Sequence, residues 1–108
     1  MARYLNEADA KADGFSIVHI PEQTEFAILR DGTTLGVAHY RLMGDGTDAA
    51  AIDFDHTEVD PSLRGTGLSG VLAERAFTDD IVRGRQVRTS CWFMEGYLAK
   101  HPELLDRE

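Results

Sequence analysis

The stretch from Asp55 to Phe77 reads DHTEVDPSLRGTGLSGVLAERAF, and it decides the fold. Just before its glycine-rich loop, residues 52–59 alternate apolar and polar side chains, and this period of two predicts a strand. After the loop, Leu68 to about Arg83 is rich in helix-forming residues and contains no proline, which predicts a helix that Gly84 ends. The first amides of a helix lack intrahelical partners, and the macrodipole adds partial positive charge. The segment therefore predicts a site for a phosphate-bearing small molecule.

Two familiar phosphate loops fit this segment poorly. A Walker A loop needs a Lys followed by Ser or Thr after its second glycine, and this sequence has none, so nucleoside triphosphate chemistry is not expected. Residues Gly65 to Gly70 match the dinucleotide pattern G-x-G-x-x-G letter for letter. That loop, however, follows its strand almost at once and lies in a doubly wound sheet. Here Asp60 to Arg64 intervene, and only 38 residues follow Gly70.

The third alternative is the pyrophosphate loop Q/R-x-x-G-x-G/A of the GNAT-type N-acetyltransferases. Arg64, Gly67 and Ser69 fall on its three fixed positions, and Ser69 departs from Gly or Ala. Serine is small, and its hydroxyl group can itself reach a phosphate. The similarity continues through four further pieces of sequence: HTEV at 56–59, RGTGL at 64–68, SC at 90–91 and YLAKHP at 97–102. Over about residues 15–105 the chain resembles a subgroup of very small, one-domain GNAT proteins.

This resemblance implies a function and a set of site residues. The function is acetyl-CoA-dependent N-acetyltransfer to a primary amine, with coenzyme A as co-substrate and a small-molecule or peptide amine as acceptor. The alternative is a non-catalytic CoA-binding module, because the chain is shorter than most GNAT enzymes and lacks the N-terminal helices that help to wall the acceptor site. The residues implied to bind the cofactor are Val59, Arg64, Gly65, Thr66, Gly67, Leu68, Ser69 and Gly70.

Length and composition limit the other possibilities. A chain of 108 residues with 43% hydrophobic content predicts one domain, spanning residues 1–108. The apolar runs are only a few residues long and the N-terminus leads into charged residues, so we expect no membrane span and a cytoplasmic location. A net charge of -8 argues against nucleic acid as a partner. The histidines have no metal-like spacing, so no metal is expected. The oligomeric state does not follow from the sequence.

The order of elements predicts a mixed α/β (α+β) fold. Residues 1–14 form either a short surface helix or a loose segment, and the turn Asp31-Gly32 favours a hairpin. A fifth strand reached through a crossover helix should run parallel to the fourth. We expect a mostly antiparallel sheet of about five strands with two helices, and the resemblance implies that the fourth and fifth strands splay apart to admit the pantetheine arm. The predicted strands are Phe15–Ile20, Glu25–Arg30, Leu35–Met43, Ala50–Val59 and Val87–Trp92, and Met94–Lys100 is the second helix.

Four side chains are candidates for catalysis. Cys91, the only cysteine, is either a buried core residue or a nucleophile that faces the thioester at the end of the fifth strand. His56 shares the period-two face of Ile52 and Phe54, so we expect it to point inward as a packed residue or a general base, with Glu58 on the same face as the alternative base. Tyr97 is either an aromatic cap or, as the resemblance implies, the acid that protonates the departing thiolate.

Overall fold

The structure is a computed structural model that describes residues 3–105. Four short 3-10 turns connect or extend the main elements within these residues. The helices are α1 Glu7–Ala12, α2 Leu68–Thr78 and α3 Trp92–Lys100, and the strands are β1 Ser16–Ile20, β2 Glu25–Arg30, β3 Thr33–Met43, β4 Ala51–Val59 and β5 Gln86–Thr89.

The five strands form one sheet in the order β1-β2-β3-β4-β5. Neighbours from β1 to β4 pair antiparallel, and β5 pairs parallel with β4, as the sequence predicts. Asp31 and Gly32 both have positive φ (52° and 78°), which is the backbone twist that a tight β2–β3 hairpin requires. The crossover through α2 reverses the direction of the chain twice, so β5 runs parallel to β4. The predicted fold class is confirmed.

The hydrophobic core lies between one face of the sheet and α2. Phe54 of β4 packs edge-to-face against Phe77 of α2, with ring centroids 4.9 Å apart. Burying a large apolar side chain stabilises a protein by about 1.5–3 kcal/mol, so the core fixes α2 firmly on the sheet. The largest fully buried side chains are Phe26, Ile28, Tyr40, Ile52, Phe54, Leu68, Leu72, Phe77 and Met94.

The N-terminal segment adds a third helix to the two that were predicted. Asn6 caps α1 by accepting a hydrogen bond from the amide of Asp9 at 2.8 Å, and Ala10 is fully buried. The amides of Arg3 and Tyr4 both donate to the carbonyl of Thr66 at 2.8 Å. The segment is therefore tied to the glycine-rich loop, and residues 1 and 2 lie outside the described part of the chain.

Three predicted boundaries were wrong by several residues or by a change of element. Helix α2 ends at Thr78 instead of about Arg83, because Asp79 accepts the amide of Ile81 and starts a separate 3-10 turn. Strand β5 ends at Thr89, and α3 begins at Trp92 instead of Met94. Within residues 3–105, no helix is long and apolar enough to cross a membrane.

Candidate functional site

A bulge in β4 decides which residues face the core. His39 of β3 pairs with His56, but the next residue, Tyr40, pairs with Phe54, so Asp55 is an extra residue in β4. An extra residue reverses the alternation of side chains beyond it. The prediction that His56 shares a face with Ile52 and Phe54 was therefore wrong.

Beyond the bulge, two of the predicted catalytic residues lie on the opposite face from the core. The side chains of His56 and Glu58 are 61% and 78% exposed, and His56 Nε2 lies 3.4 Å from Glu58 Oε1. They do share a face with each other, as expected from their spacing. Thr57 and Val59 take the positions on the core side, opposite Ala38 and Gly36 of β3.

The side chain of the bulge residue Asp55 is held from β3. His39 Nδ1 lies 2.7 Å from Asp55 Oδ1, and Arg41 Nε lies 3.4 Å from Asp55 Oδ2. On its other side, His39 Nε2 lies 2.9 Å from the hydroxyl oxygen of Thr24. This set ties the bulge to β3 and to Thr24, the residue that precedes β2. It was not predicted, because its members are far apart in sequence and meet only through strand register.

Strands β4 and β5 separate at Phe54. Their pairing ends at the Phe54–Thr89 rung, and the amides of Ser90 and Cys91 both donate to the carbonyl of Phe54, at 3.1 and 3.0 Å. The chain then turns into α3, while β4 continues to Val59. The implied splay between the fourth and fifth strands is present.

Asp53 fixes the point of separation. Its carboxylate is 3% exposed and accepts the amide of Ser90 at 3.0 Å, the hydroxyl of Ser90 at 2.7 Å and a guanidinium N–H of Arg41 at 2.9 Å. Burial alone would raise the pKa of Asp53, but the hydrogen bonds from Ser90 and Arg41 outweigh it and hold the pKa below its usual value. Asp53 therefore stays ionised and anchors the end of β5 to β4.

The separation leaves one edge of β4 free. The amide of Asp60 donates to the carbonyl of Leu35 at 2.8 Å, so the backbone groups of Asp60 point towards β3. Because these groups alternate along a strand, those of Thr57 and Val59 point the other way. In the described part of the chain, no strand pairs with β4 on that side beyond Phe54. This edge can accept hydrogen bonds from, and donate them to, an extended peptide-like ligand.

The glycine-rich loop presents a second set of free amides. Gly65 and Gly67 have positive φ (77° and 91°), and Gly67 is the N-cap of α2. The amide of Leu68 donates to the hydroxyl of Thr66 at 3.3 Å. Within residues 3–105 no hydrogen-bond acceptor is found for the amides of Gly65, Gly67, Ser69 and Gly70. Such donors at a helix N-terminus suit an anion, and the predicted role of the loop in cofactor binding stays a prediction. Arg64, at the start of the loop, is exposed.

Helix α3 borders this loop through Tyr97. A Cβ atom at Gly70 would lie 3.2 Å from Tyr97 Cε1, so the tyrosine ring rests on the first turn of α2. Burial, with a smaller contribution from the carboxylates of Glu74 and Glu103, raises the pKa of Tyr97. The phenol therefore keeps its proton at neutral pH and can act as a donor. A groove of about 350 Å³ runs along the same helix, lined by Trp92, Phe93, Gly96, Tyr97 and Lys100.

Cys91 lies at the mouth of the splay, where it is the N-cap of α3 and not a residue of β5. Its thiol donates to the hydroxyl of Thr57 across the gap, with a Sγ–Oγ1 distance of 3.4 Å. The structure thus brings Cys91 beside the free edge of β4, on the core side. His56 and Glu58 belong to the opposite face, so the four predicted catalytic residues form two separate groups.

Several residues of this site were not predicted from the sequence. Asp53 and Thr57 belong to the alternating run and look like ordinary strand residues, and Trp92 was assigned to β5 although it is 87% exposed on α3. An exposed tryptophan in the segment after Cys91 could have indicated a binding surface. In the range 3–105, no group of three or more His, Cys, Asp or Glu side chains is arranged to hold a metal ion.

Comparison with known proteins agrees with this geometry. The family model described as GCN5-related N-acetyl-transferase matches residues 25–107. Protein NATD1 of Xenopus tropicalis is 23% identical over 103 residues, which cover 94% of this chain and 91% of that protein. Protein NATD1 of Danio rerio is 26% identical over 94 residues, which cover 84% and 82% of the two chains. The chain belongs to the GCN5-related N-acetyltransferase family.

Proposed function

We propose that this protein transfers the acetyl group of acetyl-CoA to a primary amine. The observation that carries the proposal is the free edge of β4 beside a helix N-terminus with unpaired amides. Family membership supports acyl-CoA-dependent transfer in general. Beyond family membership, we propose that this chain is catalytically active and that its acceptor is a primary amine.

Each part of the cofactor has a matching surface. The pyrophosphate binds the unpaired amides of Gly65, Gly67, Ser69 and Gly70, where the helix macrodipole adds to the hydrogen bonds. The pantetheine arm, which contains two amide groups, lies along the edge of Thr57 and Val59 as an added strand would. Cys91, at the N-terminus of α3, contacts Thr57 across this gap. The thioester then lies at the mouth of the gap, beside Cys91 and Thr57.

The chemistry divides between the two faces of the sheet. The amine must lose a proton before it attacks, and Glu58 and His56 are the groups on the polar face that can accept it. The nitrogen forms a bond to the thioester carbon, the carbon–sulfur bond breaks, and Tyr97 gives a proton to the departing thiolate. The phenol of Tyr97 is protonated at neutral pH, as this last step requires.

Cys91 adds a second route through an acetyl-cysteine intermediate. Its contact with Thr57 holds the sulfur beside the free edge. In this route the sulfur attacks the thioester carbon, the CoA thiol leaves, and the amine later attacks the acetyl-cysteine. Mass spectrometry of protein incubated with acetyl-CoA alone would show one added acetyl group at Cys91. Near-normal turnover by a folded Cys91→Ala variant would exclude this route.

The decisive experiment measures CoA binding and turnover separately. Calorimetry with CoA should give saturable binding, and a free-thiol assay with acetyl-CoA and a panel of primary amines should show amine-dependent thiol release. Tyr97→Phe should bind CoA normally and lose about 10²- to 10⁴-fold in turnover, the usual effect of removing a general acid. Tyr40→Phe is the matched control, because Tyr40 is buried in the core next to His19. CoA binding without thiol release for any amine would instead support a non-catalytic CoA-binding module.

A further inference from the structure

An open cavity of about 300 Å³ lies across the last rungs of the β3–β4 ladder. Its apolar walls come from Leu35 and Val37 of β3, from Val59 of β4 and from Pro61, the first residue after Asp60. Val37 pairs directly with Glu58, so the cavity includes the polar face of the sheet. None of the proposed cofactor contacts at Gly65 to Gly70 lies in it.

The charge of the cavity is negative. Glu58 and Asp60 line it, and none of its lining residues is basic. Hydrogen bonds from Ser62 lower the pKa of Asp60, so this carboxylate is ionised at neutral pH. Glu58 has its carboxylate mostly in solvent, with His56 as its neighbour at 3.4 Å. A cationic group is attracted to this cavity, and a carboxylate is repelled.

The cavity also reaches the reacting centre. Val59 is one of the residues that line the cavity, and its backbone groups point to the free edge of β4. Thr57, which contacts Cys91, is two residues away, or about 7 Å along a strand. A chain of a few methylene groups spans that distance, so a ligand in the cavity can present an amine to the thioester.

We propose that this cavity binds the acceptor, and that the acceptor is a primary amine on an aliphatic chain that carries no carboxylate. The inference rests on the proposed acetyltransfer and names its acceptor class. Apolar walls hold the methylene chain, and Glu58 attracts the ammonium group and takes its proton before attack. A free alkylamine and the side chain of a lysine in a peptide share this chemistry.

The test is an amide-detected NMR titration of the CoA-saturated protein. Butylamine and a lysine blocked at its α-amine and carboxyl group represent the two sources. 4-Aminobutyrate is the matched zwitterionic probe, because it adds a carboxylate to an amine of similar length. Butylamine or the blocked lysine should shift the amides of Val37, Glu58 and Val59 in a saturable way. The compound that binds more tightly identifies the acceptor as a free alkylamine or as a lysine side chain. 4-Aminobutyrate should bind at least about fivefold more weakly, since an exposed ion pair contributes up to about 1 kcal/mol.

A variant with a positive charge added to the cavity tests whether the negative charge of the cavity attracts the amine. Val37→Lys puts a cation opposite Glu58 and should weaken binding of the cationic amine about tenfold, while CoA affinity is unchanged. Val18→Lys is the control, because Val18 is a half-buried residue of β1 that does not line the cavity. Absence of shifts at the cavity, equal binding of 4-aminobutyrate, or equal loss in both variants would overturn the inference.

The two proposals fail in different ways. If CoA does not bind in calorimetry, the proposed acetyltransfer fails, and the same titration of the CoA-free protein still decides whether amines enter the cavity. If CoA binds and thiol is released with amines whose shifts map elsewhere, acetyltransfer stands and the placement of the acceptor is wrong.

Discussion

Replacing Asp53 by Asn perturbs the point at which β4 and β5 separate. The carboxylate is almost fully buried and accepts two hydrogen bonds from Ser90 and one from Arg41. Asparagine has nearly the same shape and can still accept a hydrogen bond, but it has no charge and adds two donors. The variant therefore tests the charge of Asp53 with little change in packing.

The magnitude follows from the type of bond that is lost. A hydrogen bond to a charged group contributes about 1.5–3 kcal/mol and a neutral one about 0.5–1.5 kcal/mol, so the loss of charge costs about 1–1.5 kcal/mol for each of the two bonds from Ser90, or about 2–3 kcal/mol together. The pair with Arg41 adds little, because the guanidinium side chain is 59% exposed. For a domain of about 100 residues, about 2–3 kcal/mol lowers Tm by roughly 8–24 °C.

The pH dependence of the Tm difference tests whether the charge of Asp53 is responsible for the stabilisation. The pKa of Asp53 is lower in the folded protein than its ordinary value of 3.8. The stabilisation is therefore fully present above about pH 4 and is lost as pH falls through the lower, folded-state pKa. Thermal unfolding should show a Tm difference between the two proteins at pH 7 that shrinks below pH 4.

Asp48→Asn is the control, because Asp48 is exposed in the loop between β3 and β4. It should unfold like the unaltered protein at every pH. An Asp53→Asn variant with unchanged Tm at pH 7, or with a difference that does not shrink in acid, would show that Asp53 does not hold the splay through its charge.

Two further predictions concern the glycines of the cofactor loop. Gly67→Val should weaken CoA binding more than tenfold in calorimetry. The control is Gly46→Val, which imposes similar strain at φ 82° in an open loop and should leave CoA binding unchanged. Equal CoA affinity in the two variants would contradict the loop as pyrophosphate site. Gly70→Ala should keep or raise Tm, because alanine favours a helix. Its Cβ would press on the Tyr97 ring and lower turnover about tenfold. A variant with unaltered kcat would show that Tyr97 need not be held in place.

Much of the fold follows from local signals in the sequence. The period-two runs, the turn at Asp31-Gly32 and the long apolar helix after Leu68 predict four antiparallel strands and a parallel fifth strand. Each of these signals involves neighbours in the chain, so it needs no knowledge of the partner strand. The glycine-rich loop is equally local, and the structure places it at the N-terminus of α2 as expected.

The site departs from the prediction where long-range pairing decides it. Nothing in residues 52–59 marks Asp55 as an extra residue, because a bulge is defined by two strands together. The side chains that hold it, His39 and Arg41, lie more than ten residues away in sequence. A strict period of two therefore placed His56 on the wrong face, and a single inserted residue moved the predicted bases away from Cys91.

The same bulge has a chemical consequence for the proposed reaction. Without it, His56 and Glu58 would point into the core beside Cys91, where two ionisable groups would need partners and would fill the gap between β4 and β5. With it, small or apolar side chains, Thr57 and Val59, face the gap proposed for the cofactor, and the titratable groups face solvent and the cavity proposed for the acceptor. In the proposed reaction the bulge thus lets one strand serve both substrates, with hydrogen-bonding backbone along its edge for the pantetheine and a carboxylate on its outer face for the amine.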